Sequence, residues 1–462
     1  MHATAPTVTH RTPTPTARPR AVLAVILVAY FMILMDNSVI FTGLPSIQAG
    51  LDLSPASLSW VQDAYTLVFG GLLLLGARAG DLLGRVRLFV AGLALFGLAS
   101  LAIGLAQAGW WMVAGRAVQG VGAAVVAPTS LALITASFEG EARRRAVAAY
   151  AATAGIGASL GMVLGGALTE FVSWRAAFLV NVPIAVAMIV ASRRVLAETP
   201  RTQGRFDLIG AVCATAGFGS LVLGLLESPG HGWGSPRVLG PLGLGVLLLV
   251  ALVLHESRAA QPIMPLRLFR SRERSGAYAV RVLYLGGMIG FFYFTTQFLQ
   301  HVYGFTALEA GLGFLPMTLV NFAVAMALPR ISRRVPGGVL LPAGTALTLA
   351  GLFWLAQAGA DASYLPAVGL PMAIVGFGQG LVFAPLTSAG IAGVEQADAG
   401  AASGLLNTAH QLGMALGLAV LVAVSAGAPT VARQFHQALT GAAVLVALAL
   451  VVLPATNRRG RV

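Results

Sequence analysis

The chain has 462 residues, 57% of them hydrophobic and only 10% charged. That balance excludes an ordinary soluble domain, in which about a quarter of residues are charged. All 29 basic residues behind the formal charge of +13 are arginine; with no lysine there is no phosphate-loop lysine for an ATP-driven pump and no Schiff base. The single cysteine, Cys213, excludes an internal disulfide and a cysteine-cluster metal site, and reads as a small apolar residue in a helix.

Residues 1–20 are rich in threonine and proline and carry Arg11, Arg18 and Arg20, the composition of a disordered cytoplasmic tail. No small-residue cleavage site follows the first apolar run, so that run is expected to stay as a membrane span. Apolar runs of about twenty residues, the length that crosses a bilayer, then recur along the chain. They predict spans near 21–43, 57–77, 88–106, 111–136, 147–169, 175–192, 207–226, 238–255, 277–300, 308–328, 338–358, 364–392, 401–426 and 437–454.

Arginine placement tests that count of about fourteen. With the N-terminus inside, predicted cytoplasmic segments hold 24 of the 29 arginines. Outer loops hold Arg175, Arg237 and Arg433, and Arg116 and Arg281 fall within spans. This is the asymmetry of a multi-pass protein with both termini cytoplasmic, and one missed span would scramble it. Short echoes support an internal repeat. Leu160-Gly161-Met162-Val163-Leu164-Gly165 in span 5 is answered by Leu412-Gly413-Met414-Ala415-Leu416-Gly417 in span 13, and Ala127-Pro128-Thr129-Ser130 in span 4 by Ala384-Pro385-Leu386-Thr387-Ser388 in span 12. The expected fold is an all-α integral membrane protein with about 14 transmembrane helices. Two six-helix bundles, 21–196 and 277–456, flank two inserted helices within 207–256.

Three motifs carry a family resemblance. The loop after span 2, Gly76-Ala77-Arg78-Ala79-Gly80-Asp81-Leu82-Leu83-Gly84-Arg85-Val86-Arg87, resembles the signature between the second and third helices of the major facilitator superfamily. The resemblance implies a cytoplasmic latch built on Asp81, Gly84 and Arg85. Span 4, with Arg116, Gln119, Gly120 and Gly122, looks like that superfamily's arginine motif associated with proton coupling. Span 5, with Gly157, Gly161, Gly165 and Gly166, is similar to the antiporter motif of drug exporters, with Met162 in place of its usual proline. Small residues at that spacing also pack membrane helices of any kind. The stretches Leu34–Pro45, Ser173–Pro183 and Pro262–Phe269 narrow the likeness to the fourteen-span drug:proton antiporters, over roughly residues 20 to 425.

Depth adds a reading of its own. An arginine inside a span is tolerated only where it faces protein or a watery cavity and has a partner. Asp36, Asp63 and Arg116 each lie five to seven residues from the outer end of a predicted span, roughly 8–11 Å deep at 1.5 Å per residue. Two acids and one arginine at one level predict a shared polar site, with Asp36 as the leading proton carrier and Asp63 as the second. Gln119, Gln297, Gln300, Asn407, His410 and Gln411 are candidates for lining a substrate cavity, and equally for gluing helices together.

The resemblance implies a secondary exporter of lipophilic, often cationic, small molecules. It would sit in the plasma membrane as a monomer and work by alternating access. Proton influx would drive it, with no ATP, no metal, no other cofactor and no nucleic-acid partner. Proton-coupled uptake of a small nutrient is the alternative within transport. A non-transporting membrane sensor or assembly partner is the alternative of another class. No nucleophile–base pairing or metal spacing stands out, so an enzyme is not expected.

Overall fold

A computed structural model describes residues 19–199, 201, 206–259, 261–395 and 398–456. The expected tail, 1–20, lies almost wholly outside the described residues. Sixteen α-helices and no strand occur among them. In chain order they are α1 (Pro19–Leu51), α2 (Pro55–Leu83), α3 (Arg85–Gly104), α4 (Gly109–Ser137), α5 (Gly140–Phe171), α6 (Trp174–Leu179), α7 (Asn181–Val195), α8 (Leu208–His231) and α9 (Pro236–Glu256). The second half holds α10 (Arg272–His301), α11 (Ala307–Leu312), α12 (Leu315–Ile331), α13 (Gly337–Leu355), α14 (Leu370–Gly390), α15 (Ala399–Ser425) and α16 (Val431–Val452).

Thirteen segments among the described residues are long and apolar enough to cross a membrane, counting α6 with α7 and α11 with α12 as single crossings. The 32-residue α5 is the remaining long helix, with a described apolar stretch at Leu160–Phe171. Local chemistry sets the helix ends. Ser54 accepts from Ser57 N at 3.1 Å with Pro55 at the first helical position of α2. Thr306 and Glu309 form a reciprocal capping box at α11.

The first expected span is corrected by the structure. It was placed at 21–43, but α1 runs on to Leu51 through Pro45. The apolar run ends where the hydrocarbon ends, whereas the helix continues among protein neighbours: Gly50 lies against Trp174. Asp36 is therefore near the middle of α1, not close to its end.

α1 to α7 pack on one another, as do α10 to α16, and the echoed motifs occupy equivalent contacts. A Cβ on Gly165 would stand 2.7 Å from the Val39 Cα, and one on Gly417 would stand 2.1 Å from the Gly286 Cα. Thus α5 lies directly on α1, and α15 on α10, because glycine lets the backbones meet. α8 and α9 form a hairpin outside both groups. α8 also touches α2 and α15, while α9 leaves Leu244, Leu247, Val250 and Leu254 exposed, as a lipid-facing helix does. At the foot of the hairpin Asp207 accepts from Gly210 N at 2.9 Å and lies 2.7 Å from His255 Nε2.

The two ends of the molecule differ in charge. One, with the α2–α3, α4–α5 and α9–α10 connections, is rich in arginine; the other holds Arg175, Arg237 and Arg433. The halves are joined towards the arginine-poor end. Gln300 Nε2 donates to Thr42 O at 3.0 Å, and Leu308 N to a Glu170 carboxylate oxygen at 3.0 Å. Gly166 meets the Ala307 carbonyl, and Phe41 stacks with Phe292 at 5.7 Å. α2 and α15 run together further along, through Gly70 with Gln411 and Gly404 with Leu74. Among the described residues no hydrogen bond or ion pair joins α4 or α5 to α12, α13 or α14 at the arginine-rich end. There Gly404 of α15 still packs on Leu74 of α2.

Candidate functional site

Arg116 is wholly buried, seven residues into α4. Its Nη1 donates to Asp36 Oδ2 at 2.7 Å and to Gln119 Oε1 at 2.7 Å, and its Nε donates to Val61 O at 3.0 Å. Gln119 is one helical turn further on, so both side chains leave α4 on one face. The guanidinium also lies over the Tyr65 ring, 4.2 Å from its centroid.

Asp36 is equally buried and accepts three hydrogen bonds from two helices, α4 and α7. Besides Arg116, Gln119 Nε2 donates to its Oδ1 at 2.8 Å, and Asn181 Nδ2 at 2.7 Å. Ser100 completes the centre from α3, accepting from Gln119 Nε2 at 2.8 Å. Each of the three side chains that bond the carboxylate presents a donor to it. An ionised Asp36 is therefore fully satisfied. A protonated one would give up one acceptor position, and its hydroxyl would find an acceptor only by a turn of the Asn181 amide, whose Oδ1 is buried without a partner among the described residues.

The structure brings Asp36, Arg116 and Gln119 together and leaves Asp63 apart. Asp63 is also fully buried, yet neither carboxylate oxygen has a hydrogen-bond partner among the described residues, and no ion pair includes it. Level alone does not make a contact. Val61 and Gln62 face the centre, Gln62 donating to Asn37 at 3.1 Å. Two residues on from Val61, the helix has turned by about 200°, so Asp63 points away from the Arg116 centre.

The residues of the expected latch bond to neighbours within the first half. Arg85 Nη2 donates to Asp81 Oδ1 at 2.9 Å and its Nη1 to Ala132 O at 3.1 Å. Gly84 ends α2 at φ 104°, a conformation that suits glycine. Sequence reasoning missed Glu198, whose carboxylate accepts from Val86 N and Arg87 N, each at 3.0 Å, at the exposed N-terminus of α3. Of the span 5 glycines, Gly157, Gly161 and Gly165 seat on α1, and Gly166 meets α11 of the other half.

The expected cavity residues scatter. Gln119 belongs to the Asp36 centre. Gln297 turns back to Tyr293 O at 3.2 Å, and Gln300 bridges the halves. Gln411 packs against Gly70, while Asn407 is exposed and bonds Ser403 O at 3.1 Å. Sequence reasoning assigned Asn181 and Ser100 no role. Asn181 had a signal, a polar residue opening an apolar helix just before Pro183; Ser100 had none.

The profile of the Major Facilitator Superfamily matches residues 26–418. The chain belongs to that superfamily. Among curated relatives it is 43% identical over 459 residues to the cephamycin export protein of Amycolatopsis lactamdurans, covering 96% of this chain and 94% of the relative. It is 38% identical over 414 residues to a puromycin resistance protein of Streptomyces alboniger, covering 88% and 82%. The fold matches the crystal structure of a POT family transporter in complex with a thioalcohol-conjugated peptide. The TM-score is 0.71 at 14% identity, over 94% of this chain and 96% of that one. The chain is a multi-pass membrane protein of a transporter family related to antibiotic exporters.

Proposed function

We propose that this superfamily member is a proton-coupled exporter of lipophilic small molecules of the antibiotic kind, working by alternating access without ATP or a resident cofactor. It would act as a monomer in the plasma membrane with both termini, and the arginine-rich end, in the cytoplasm. The names of the relatives support efflux. The observation that carries coupling is the wholly buried Asp36 carboxylate paired with Arg116 and bonded by Gln119 and Asn181.

The mechanism follows from that pairing. Ionised Asp36 ties α1 to α4 through Arg116 and Gln119, and to α7 through Asn181. A proton arriving on Asp36 removes the charge that Arg116 needs and makes the Asn181 amide turn to offer its oxygen to the hydroxyl. The contact between α1 and its neighbours then has to change. Because α1 also meets α10 and α11 of the other half, that change reaches the surface on which the halves rock. Asp63, buried outside the Asp36 centre, serves as a second acid. The arrangement described above, joined at the arginine-poor end, is then the inward-open state that loads cargo from the cytoplasm.

The test is purified protein in liposomes with an imposed pH gradient, scanned against a compound panel. Expected is gradient-dependent movement of lipophilic compounds that Asp36→Asn abolishes. Undiminished, pH-responsive transport by that variant would remove Asp36 as the carrier.

A further inference from the structure

Arg281 is the second arginine inside a span, and the Asp36 centre leaves it unused. It lies nine residues into α10, about 14 Å along the axis from the arginine-rich end. Only 5% of it is exposed. The acids of the second half are Glu273, Glu309, Asp361, Glu395 and Asp398, all at helix ends or in connections. None forms an ion pair with Arg281 among the described residues.

Its neighbours are neutral. Nη2 lies 3.2 Å from His410 Nδ1, and Nη1 is 3.4 Å from Thr387 Oγ1. Nε has no partner among the described residues. The Phe383 ring stands 4.7 Å from the guanidinium carbon. His410, Thr387 and Phe383 are each half-buried, so the group is not sealed.

The internal repeat sharpens the point. α1 and α4, the first and fourth helices of their half, hold an aspartate and an arginine. Their counterparts α10 and α14 hold Arg281 and Thr387. The second half has the cation without the anion. A buried guanidinium lacking a carboxylate forgoes its best partner, and a carboxylate meets its planar fork with two parallel hydrogen bonds.

We propose that Arg281, with His410, Thr387 and Phe383, binds the carboxylate of an otherwise apolar cargo molecule. Arg281 holds the charge. His410, accepting through Nδ1, keeps its proton on Nε2 and offers a further donor. Phe383 gives the apolar body a face to lie on. The cargo supplies the anion that the second half lacks. This rests on the export reading and narrows its substrate class to acids, away from the cations that the resemblance implied.

The experiment compares 1-naphthylacetate with its uncharged methyl ester by equilibrium dialysis against the purified full chain in neutral detergent. Wild type is expected to hold the acid more tightly than the ester. Arg281→Gln should weaken the acid about ten- to hundredfold, the range for hydrogen bonds to a charged group, and leave ester binding and the melting profile unchanged. Arg281→Lys keeps a charge without the fork and should fall between. Equal binding of acid and ester by wild type overturns the proposal. So does equal weakening of both by Arg281→Gln, or by Arg281→Lys if the glutamine variant fails to fold. Displacement of the acid by phosphatidylglycerol vesicles, but not phosphatidylcholine ones, assigns the site to a lipid headgroup and also overturns it. Gradient-driven export of the ester tests the export reading alone: its failure beside Arg281-dependent acid binding removes the transport role and keeps the site.

Discussion

Asp36→Asn is nearly isosteric, yet the geometry makes it a severe change. Asp36 accepts from Arg116 on Oδ2, and from Gln119 and Asn181 on Oδ1. Asparagine offers one acceptor oxygen and one NH2. If the oxygen faces Gln119 and Asn181, the NH2 faces Arg116 Nη1, donor against donor. If the amide turns round, the NH2 meets two donors. In the first orientation Arg116 is left charged and wholly buried, with only Val61 O and Gln119 Oε1 as acceptors; in the second it keeps the amide oxygen but loses the counter-charge. Removing one partner of a buried pair costs about 3–5 kcal/mol. The assay is unfolding of purified protein in detergent, run as a double-mutant cycle with Arg116→Gln. Asp36→Asn should lower the melting temperature markedly. Asp36→Asn with Arg116→Gln should recover much of the loss, because no bare charge remains. An unchanged melting temperature for Asp36→Asn, or a double variant as unstable as the sum of the singles, would refute the tie between these two groups.

Arg116→Lys should also abolish gradient-driven transport in liposomes, because one ammonium on a flexible stem cannot hold Asp36, Gln119 and Val61 O in their present directions. Gly417→Val should destabilise the second half by at least about 1–3 kcal/mol, read as a lower melting temperature, since even a Cβ would lie 2.1 Å from the Gly286 Cα. The Asp398 carboxyl is held below the usual carboxylate range, first by its hydrogen bonds from Arg267 and then by that cation's charge. This depressed group adds stability that is present above about pH 4, its unfolded value, and is lost as pH falls through the lower folded value. Hydrogen exchange at the start of α15 should therefore quicken on acidification below pH 4, and Asp398→Asn should show the faster exchange already at neutral pH.

The sequence makes level legible and azimuth illegible. Counting residues along apolar runs put Asp36, Asp63 and Arg116 at one depth. It could not say that Asp63 turns away from the Arg116 centre, because the rotation of a helix about its axis is set by what packs on it. The Arg116–Gln119 spacing was readable, since residues three apart share a helical face. Asn181 and Ser100 reach the centre from helices whose order around it only the packing fixes. The end of α1 was misplaced for a related reason: apolarity marks the hydrocarbon, and Leu44–Leu51 stays helical beyond it against Trp174. The repeat was readable because its glycines answer to contact, and contact between backbones tolerates nothing larger.

The α8–α9 hairpin has a mechanical consequence. α8 touches α2 from one half and α15 from the other, so it lies across the lateral seam where those helices meet. No hydrogen bond among the described residues fastens it to either; Thr215, which sits against Gly71, bonds back to Ala211 O in its own helix. Leucines hold it to α9, Leu242 against Gly224 and Leu249 against Gly217. Under the alternating-access reading proposed above, α8 would slide on one half without breaking a polar contact. The hairpin would then work as a gasket, keeping acyl chains out of the seam and letting an extra pair of helices ride on a two-part machine without locking the parts together.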